Sequence, residues 1–459
     1  MGKLKFQRYC FLWCCVIKLD KRLFNDIEWS INDMTIANDY KLSKYNIDID
    51  DNGQHYIFNL NSGALIEVDQ NEIDLFKSSQ FDLLSTETCK ELENLNILIR
   101  SEINEFELLS QSRKEINLSR NRQFDINIMT TTKCNARCYY CYEKDMSNKK
   151  HMPEETVEQL IEYILSKYDG RIIHLKWFGG EPLCNKSVIS KICNKLKSLN
   201  IKYYSTMISN GLYVGKYLDK IMNEWNMKRV QITLDGIGDK YNIIKNYYVW
   251  KGQNHFNILI KNIHELINNR IFVSIRLNFN PVDPSDCLSL LDFLYDEFGN
   301  NKYLNVYCSH IYDDNLPLPN ELNPNPYVII YEKLISLGYV KTLLDLRVIR
   351  SDYYCGIKNK EFVTVDPDGN LFKCEHEACH GKDNAFFNIF NDETEINTYN
   401  LDLWEKDTTQ TLCEECICYP ICNGGCRYYE LHGQNNSHCI QIKNCINDIL
   451  KFFIKMRKE

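Results

Sequence analysis

Three cysteines stand close together in this sequence, at Cys134, Cys138 and Cys141, with the spacing C-x3-C-x2-C. One short loop can turn all three thiolates toward a single metal centre. A four-iron cluster normally takes four cysteines, so three would leave one iron with an open position where chemistry can occur, as in catalytic metal sites. A zinc knuckle or a redox thiol pair is the alternative. Closed zinc sites need a second cysteine or histidine pair nearby, and the next cysteines, Cys184 and Cys193, lack that spacing.

A second cysteine-rich region runs from 355 to 445. Within it, the segment 362–374 predicts a β-hairpin around an Asp-Pro-Asp-Gly turn, which would bring Cys374 back toward Cys355. The cysteines farther along follow the spacing C-x2-C-x5-C-x3-C and then one more; they are Cys413, Cys416, Cys422, Cys426 and Cys439. Structural zinc is the alternative metal for these thiols.

The chain is 459 residues long, enough for about three domains with their own cores. Its net charge of -8 argues against nucleic acid as the main partner. Its 21 cysteines are concentrated in two regions, which fits metal ligation in a reducing cytosol better than a secreted disulfide scaffold. An apolar run at 9–17 is too short to span a membrane, and no A-x-A-like cleavage site follows it. We therefore expect a cytoplasmic protein without a membrane anchor, in which residues 1–37 are an uncertain extension and Met34 is an alternative start to Met1.

The N-terminal elements predict a small mixed unit over residues 38–120. Short strands alternate with hairpin turns at 51–53 and 61–63, and two helical stretches and a closing strand follow. An exposed strand edge of such a unit can bind a peptide through backbone hydrogen bonds. A structural cap on the next domain is the alternative interpretation.

Residues 121–335 alternate strand-like and helix-like stretches, which predicts an α/β domain with a parallel sheet and outer helices. In barrels of this kind the chemistry gathers at the C-terminal ends of the strands. The predicted strands are 124–129, 172–178, 203–208, 229–234, 272–277 and 304–308, and the predicted helices are 153–168, 187–198, 215–225, 256–268 and 287–298.

Short motifs follow these strands where a site is expected. The second strand precedes a G-G-E-P turn whose glycines permit close backbone approach, and the third precedes a Ser-Asn-Gly turn that can hydrogen-bond a ligand. A Thr-Leu-Asp-Gly segment ends the fourth strand, and two polar side chains share one face of the fifth. In order, these residues are Gly179, Gly180, Glu181, Pro182, Ser209, Asn210, Asp235, Arg276 and Asn278.

The first cysteine motif, with Tyr140 just before its last cysteine, resembles the signature of the radical S-adenosylmethionine (SAM) superfamily. The second cysteine region resembles the SPASM extension of these enzymes, C-x9-15-G-x4-C, then C-x2-C-x5-C-x3-C, then C. The resemblance implies a partial (β/α)6 TIM barrel with a winged-helix-like peptide-recognition unit before it and a SPASM domain over 336–459. It also implies a [4Fe-4S] cluster whose open iron binds SAM. Reductive cleavage of the bound SAM would then give a 5'-deoxyadenosyl radical.

The resemblance also implies roles for the strand-end residues in cofactor binding. Glu181 would help to hold the amino group of the methionine moiety, and Arg276 could pair with its carboxylate. Ser209 and Asn210 would contact cofactor oxygens, Asp235 would face the ribose or the substrate, and Tyr140 would lie against the adenine. Gly179, Gly180 and Pro182 complete this set.

Two auxiliary [4Fe-4S] clusters are implied in the same way. Cys413, Cys416, Cys422 and Cys439 would hold the terminal cluster, with Cys445 competing with Cys439 as the last ligand. Cys355, Cys374 and Cys426 would hold the cluster nearer the barrel, and its fourth position is either open to substrate or filled by Cys379.

We therefore expect a radical SAM/SPASM enzyme that oxidatively modifies a ribosomally made precursor peptide, for example by a thioether crosslink. A low-potential donor such as flavodoxin or ferredoxin would supply electrons, and neither nucleic acid nor membrane is an expected partner. One alternative is an anaerobic sulfatase-maturing enzyme, for which Glu375, directly after Cys374, is a candidate catalytic base; it could instead be a solvated hairpin residue. The alternative from another class is a non-catalytic iron–sulfur electron carrier or a peptide-binding partner.

Overall fold

The computed structural model describes residues 39–119, 123–144, 146, 149–313, 315–341, 359, 361–405, 411–422, 424–433 and 439–458. Cys355 and the predicted extension 1–37, with the choice between Met1 and Met34, lie outside these residues. The domain boundaries at 120 and 335 stay predictions. Among the described residues, no helix is both long enough and apolar enough to cross a bilayer.

The N-terminal unit contains a three-stranded antiparallel sheet in the order β2-β3-β4 and a separate antiparallel pair, β1 with β5. Buried and exposed residues alternate along β2, where Ile47 and Ile49 are buried and Asp48 and Asp50 are exposed. Its elements are β1 (Tyr40–Leu42), β2 (Asn46–Asp51), β3 (Gln54–Asn59), β4 (Leu65–Val68), α1 (Gln70–Lys77), α2 (Thr86–Asn94), β5 (Leu98–Arg100) and α3 (Glu105–Ser119).

Apolar residues on both faces of this small sheet are buried, against different partners. Ile57 and Ile66 pack with Phe76 of α1 and Leu92 of α2 in a core of the unit's own. The opposite face, which includes Tyr45, Ile47, Ile49 and Phe58, belongs to the large core of the rest of the chain. The unit is therefore fixed to the body of the protein by apolar packing.

The central sheet has nine strands in the order β11-β10-β9-β8-β7-β6-β12-β13-β14, and β6 to β11 run parallel. The last three strands in this order are short: β12 (Val363–Val365), β13 (Asn370–Phe372) and β14 (Phe387–Asn388). This confirms the predicted α/β class and the six predicted parallel strands. The elements are β6 (Gln123–Thr131), α4 (Glu154–Lys167), β7 (Ile172–Gly179), α5 (Lys186–Ser198), β8 (Tyr203–Ser209), β9 (Met227–Leu234), α6 (Asp239–Lys245), α7 (His255–Asn268), β10 (Phe272–Phe279), α8 (Ser285–Phe298) and β11 (Leu304–His310).

The predicted helix at 215–225 is present, but its geometry is irregular. The segment forms a 3-10 turn at Gly215–Tyr217 and a π turn at Lys220–Glu224. Asn262 of α7 donates hydrogen bonds to the carbonyl oxygens of Gly211 (2.9 Å) and Leu212 (3.1 Å). A Cβ on Gly215 would lie 2.4 Å from the Asn262 Oδ1. The start of this irregular segment therefore packs closely against α7.

The predicted hairpin of the second cysteine region is present as β12 and β13, which pair antiparallel. Asp366 accepts hydrogen bonds from the backbone N–H groups of Asp368 (2.8 Å) and Asn370 (2.9 Å) and so closes the turn. Strand β12 also pairs parallel to β6, which places the hairpin beside the strand that leads to Cys134. The remaining elements are α9 (Tyr327–Ser336), β12 (Val363–Val365), β13 (Asn370–Phe372), β14 (Phe387–Asn388), α10 (Thr398–Glu405), α11 (Thr411–Glu414), α12 (Tyr419–Cys422), α13 (Arg427–His432) and α14 (Ile446–Lys458), which packs against α9 and β2.

Candidate functional site

The G-G-E-P turn lies directly against the first cysteine loop, because β6 and β7 are neighbouring parallel strands that end together. Backbone N–H groups of Gly180 and Glu181 donate to the carbonyl oxygens of Thr131 and Lys133, each at 3.0 Å. A Cβ on Gly180 would lie 2.5 Å from the Lys133 oxygen and 3.0 Å from the Cys134 nitrogen. Only glycine therefore permits this approach without moving the loop.

Glu181 is fully buried and joins the ends of β7 and β8. Its carboxylate accepts hydrogen bonds from the Ser209 hydroxyl (3.0 Å), the Asn210 backbone N–H (2.9 Å) and the Leu183 backbone N–H (3.1 Å). Burial raises the pKa of Glu181 to about 7, although these hydrogen bonds favour the ionised form. The structure thus brings together Glu181, Ser209 and Asn210, while their predicted contacts with a cofactor stay predictions.

Asn210 reaches the first cysteine loop. Its amide donates to the Oδ1 of Asn135 at 2.6 Å and lies 3.9 Å from the Sγ of Cys134. The Nδ2 of Asn135 is buried and has no partner among the described residues. The strand-end motifs and the cysteine loop therefore form one contiguous site.

Tyr140 lies opposite Asp235, the acidic residue that directly follows β9. Its hydroxyl donates a hydrogen bond to Asp235 and accepts one from the ammonium of Lys245 at 3.0 Å. Lys245 also forms an ion pair with Asp235 at 2.6 Å, and Asn278 donates to the other oxygen of Asp235 at 2.9 Å. Both Asp235 oxygens are thus held by protein groups, and a ribose or substrate contact for Asp235 stays a prediction.

Arg276 projects from β10 on the same side as Asn278 and has few partners in the described part of the chain. One guanidinium nitrogen lies 3.2 Å from the Ser309 hydroxyl, and the buried Nε has no hydrogen-bond partner there. A partly buried guanidinium whose buried Nε has no hydrogen-bond partner is costly. This side chain therefore fits a ligand that brings a carboxylate into the site.

The three cysteines of the first motif lie on one loop and are partly buried. Burial raises the pKa of Cys141 to about 11 and raises that of Cys134 as well, so metal binding must displace protons from these thiols. Within the described ranges, no three histidine, cysteine or acidic side chains stand in a ready-made metal geometry. The donor set of three thiols beside open polar atoms nevertheless fits an iron–sulfur cluster with a free coordination position.

Four cysteines of the second region are neighbours. Burial and the nearby thiols of Cys439, Cys416 and Cys413 together raise the pKa of Cys422 to about 11. Cys445, in contrast, is buried in the main apolar core, where its thiol donates to the Ile442 carbonyl at 3.6 Å. This arrangement favours Cys439 over Cys445 as a ligand, and the assignment stays a prediction.

The residues around Cys374 lie between the two cysteine regions. Burial raises the pKa of Cys379, and Glu143, Glu375, Cys141 and Cys374 all lie close enough to raise it further. Cys374 packs against Trp404 and Tyr428, and Cys374, Cys379 and Cys426 all act on the pKa of Tyr428. Cys379 is therefore near Cys374, as a fourth ligand would have to be.

Glu375 is not a solvated hairpin residue. Its carboxylate accepts hydrogen bonds from the Lys176 ammonium at 2.6 Å and from the Asn127 amide at 3.2 Å. Burial alone would raise the pKa of Glu375, but Lys176, together with the nearby His376 and Arg276, outweighs burial and holds the pKa below its usual value.

Three charged residues of the site have no motif that predicts them. Lys245 and Lys176 each neutralise a predicted site carboxylate, and Glu143 is a buried acid with its pKa raised to about 7 by burial. The only available signal for Lys245 is its position in the apolar stretch Tyr-Asn-Ile-Ile-Lys-Asn-Tyr-Tyr, where a lysine is expected to find a buried partner.

Comparisons with known proteins agree with this geometry. Residues 128–294 match the model of the Radical SAM superfamily. A cysteine-type anaerobic sulfatase-maturating enzyme of Clostridium novyi is 26% identical over 337 residues, covering 65% of this chain and 86% of that relative. The radical SAM cyclopropyl synthase TigE of Paramaledivibacter caminithermalis is 23% identical over 340 residues, covering 66% of this chain and 67% of TigE.

A solved structure shares the fold. Native anSMEcpe with bound AdoMet and Kp18Cys peptide superimposes with a TM-score of 0.50 at 18% identity, over 73% of this chain and 97% of that chain. The matched segment 128–294 contains the first cysteine motif, the G-G-E-P turn, Asp235 and Arg276. Together with the parallel sheet that places these residues at one edge, the match shows that this chain belongs to the radical SAM superfamily, whose members use SAM and a [4Fe-4S] cluster.

Proposed function

We propose that this enzyme oxidatively modifies a ribosomally synthesised peptide, forming a crosslink such as a thioether. The observation that carries this proposal is the small sheet β2-β3-β4, fixed by a shared apolar core to the body that holds the first cysteine loop. Strand β4 pairs only with β3 among the described strands. An extended peptide can add to such an edge through backbone hydrogen bonds with little demand on its sequence.

The residues of the first site would bind and orient the cofactors. Cys134, Cys138 and Cys141 would hold the [4Fe-4S] cluster, and the bound cluster and SAM would supply a 5'-deoxyadenosyl radical. Arg276 would pair with the SAM carboxylate, because its partly buried guanidinium has no such partner in the part of the chain that the structure describes. Glu181 would keep the Asn210 turn in place.

The second cysteine region would hold two auxiliary [4Fe-4S] clusters, which would accept the electron that an oxidative crosslink releases. The neighbouring thiols of Cys413, Cys416, Cys422 and Cys439 support the terminal cluster. Cys374, Cys426 and Cys355 would serve the other, with Cys379 as a candidate fourth ligand. A cytosolic low-potential protein such as flavodoxin or ferredoxin would deliver electrons.

Maturation of a sulfatase is the second candidate function. The Clostridium novyi relative bears that name, and Glu375 follows Cys374 in the position of a candidate base. The ion pair with Lys176 lowers the pKa of Glu375, however, and a lower pKa makes a weaker base. Together with the N-terminal sheet, this favours a small peptide.

Mass spectrometry tests the proposal. The small peptide encoded beside this gene is co-expressed anaerobically with the enzyme or with a Cys134→Ala variant. We expect the peptide to lose hydrogen pairs only with the intact enzyme, and fragmentation would locate the new bond. An unchanged peptide in the presence of reductant-dependent 5'-deoxyadenosine release would contradict peptide crosslinking. Complete absence of 5'-deoxyadenosine from a fully reconstituted enzyme would instead favour an electron carrier.

A further inference from the structure

Lys245 is a buried lysine at the end of α6, and its ammonium contacts the first cysteine loop. Its side chain is 3% exposed, as is that of Asp235, and the Nζ lies 2.6 Å from an Asp235 carboxylate oxygen. The same Nζ donates to the Tyr140 hydroxyl at 3.0 Å. Tyr140 stands between Cys138 and Cys141, so the ammonium reaches the centre of the motif.

The backbone after α6 holds the same loop from a second side. The Lys245 carbonyl accepts a hydrogen bond from the Arg137 N–H at 2.9 Å. The Tyr248 N–H donates to the Asn135 carbonyl at 3.3 Å, and the Tyr248 hydroxyl donates to the Cys134 carbonyl at 2.8 Å. Residues 245–248 therefore form a clamp that contacts the loop at four positions between 134 and 140.

The charges in this clamp fix the orientation of one side chain. A buried ammonium is costly unless it is paired, and Asp235 supplies the compensating charge. The Tyr140 hydroxyl donates to Asp235 and accepts from Lys245. Rotation of Tyr140 away from this position would lose both hydrogen bonds inside a buried region, where unsatisfied partners are expensive.

We infer that Lys245 is a positioning residue of the cofactor site, which acts through Tyr140. With Asp235 it holds Tyr140 in the orientation that SAM requires, and with its backbone it holds the loop that carries Cys138 and Cys141. This inference rests on the proposed place of Tyr140 beside the cofactor and on iron binding by the first motif.

A double-mutant cycle tests the inference. The full chain is reconstituted with iron and sulfide, iron per chain is measured, and equilibrium dialysis gives the Kd for SAM. We expect Tyr140→Phe, which leaves the Lys245–Asp235 pair intact, to retain iron and to raise the Kd at least tenfold. Lys245→Met should raise the Kd by a similar factor, and the double variant should be no more than about threefold weaker than either, because coupled residues are not additive. If the double variant raises the Kd for SAM by the product of the two single-variant factors, the residues act independently and the inference is overturned.

Two further variants separate positioning from folding. Lys245→Met/Asp235→Asn removes both charges, so no lone buried carboxylate remains; it should melt near the wild type and still bind SAM at least tenfold more weakly. Wild-type affinity in this variant would overturn the inference. Lys240→Met, on the same helix but in an exposed pair with Asp286, should bind SAM as the wild type does. If the wild type itself binds neither iron nor SAM, that result contradicts the proposed function, on which the inference rests.

Discussion

The Lys176 ammonium lies 2.6 Å from the Glu375 carboxylate. It so connects strand β7 of the parallel sheet to Glu375, which directly follows Cys374. Asn127 of the neighbouring strand donates to the same carboxylate at 3.2 Å. Both charged side chains are about a quarter exposed, at 26% and 27%, so solvent screens the pair in part. The contact joins the second cysteine region to β6 and β7, the two strands that lead to the first site.

Replacement of Glu375 by glutamine tests whether this residue positions or catalyses. Because the Lys176 pair keeps the Glu375 pKa low, we expect Glu375→Gln to reduce peptide modification less than tenfold without changing its pH profile. General-base catalysis contributes about 10²- to 10⁴-fold. A loss of that size, measured as single-turnover product formation by mass spectrometry, would identify Glu375 as the base. The variant Glu361→Gln, whose carboxylate pairs with Arg171 instead, serves as the control.

Gly180 is a second test position, because a side chain there collides with the cysteine loop. A Cβ would lie 2.5 Å from the Lys133 carbonyl oxygen, and backbone atoms cannot move aside as a flexible side chain can. We expect Gly180→Ala to lose most of the iron that the wild type retains at the first motif, measured as iron per chain in a background where the second-region cysteines are replaced by serine. Gly170→Ala adds only backbone strain at φ +96 in open space, and should retain iron. Equal iron contents would contradict the packing argument.

The buried carboxyl of Glu181 predicts a pH dependence of stability. Burial raises its pKa from 4.5 to about 7 in the folded chain. Between these values the folded state binds more protons than the unfolded state, so stability falls as pH rises from about 4.5 to about 7. At about 1.4 kcal/mol per pKa unit, the loss is up to about 3 kcal/mol.

Denaturant unfolding of the metal-free chain at pH 5 and pH 7.5 measures this effect. We expect Glu181→Gln to show a smaller loss of stability between the two pH values than the wild type does. Burial also raises the pKa of Glu143 to about 7. Glu143 therefore adds to the loss of stability between the two pH values, and this contribution persists in the Glu181→Gln variant. Identical pH slopes for the wild type and Glu181→Gln would rule out Glu181 as a source.

The fold was predictable where local patterns and topology agree. Alternating apolar strands and amphipathic helices specify β6 to β11, and the Asp-Pro-Asp-Gly turn specifies the hairpin of β12 and β13. The addition of β12 to the edge of β6 was not predictable, because strand neighbours far apart in sequence leave no local signal. The irregular 3-10 and π geometry of the helix at 215–225 was likewise not predictable, because Asn262 of a later helix holds the segment just before it.

The candidate site follows a similar rule. The motifs at the strand ends predict Gly180, Glu181 and Asn210 as site residues, because parallel strands end at one edge of the sheet. The counter-ions Lys176 and Lys245 come from positions without a motif, and only the three-dimensional structure shows which carboxylates they neutralise. Charge pairing across distant segments is therefore the part that sequence reasoning misses.

The outer edge of β4 provides the sharpest test of peptide binding. Deleting the N-terminal unit is unsuitable, because one face of its sheet lies in the main core. Asn59 of β3 donates its N–H to the Ala64 carbonyl at 2.9 Å, and the alternation of an antiparallel ladder then directs the N–H of Glu67 away from β3. Proline removes that donor while sparing the pairing with β3.

We expect Glu67→Pro to raise the Kd for the precursor peptide at least tenfold, measured by fluorescence anisotropy of a labelled peptide, because an added strand loses a backbone hydrogen bond and meets the proline ring. Glu67→Ala removes the exposed carboxylate but keeps the N–H, and should bind the peptide nearly as the wild type does. Iron content and reductant-dependent 5'-deoxyadenosine release should be unchanged in both variants, since β4 belongs to a different sheet from β6, the strand that leads to the cysteine loop. Unaltered peptide affinity in Glu67→Pro would mean that the N-terminal sheet is a structural cap, and the peptide would then have to enter the radical site by another surface.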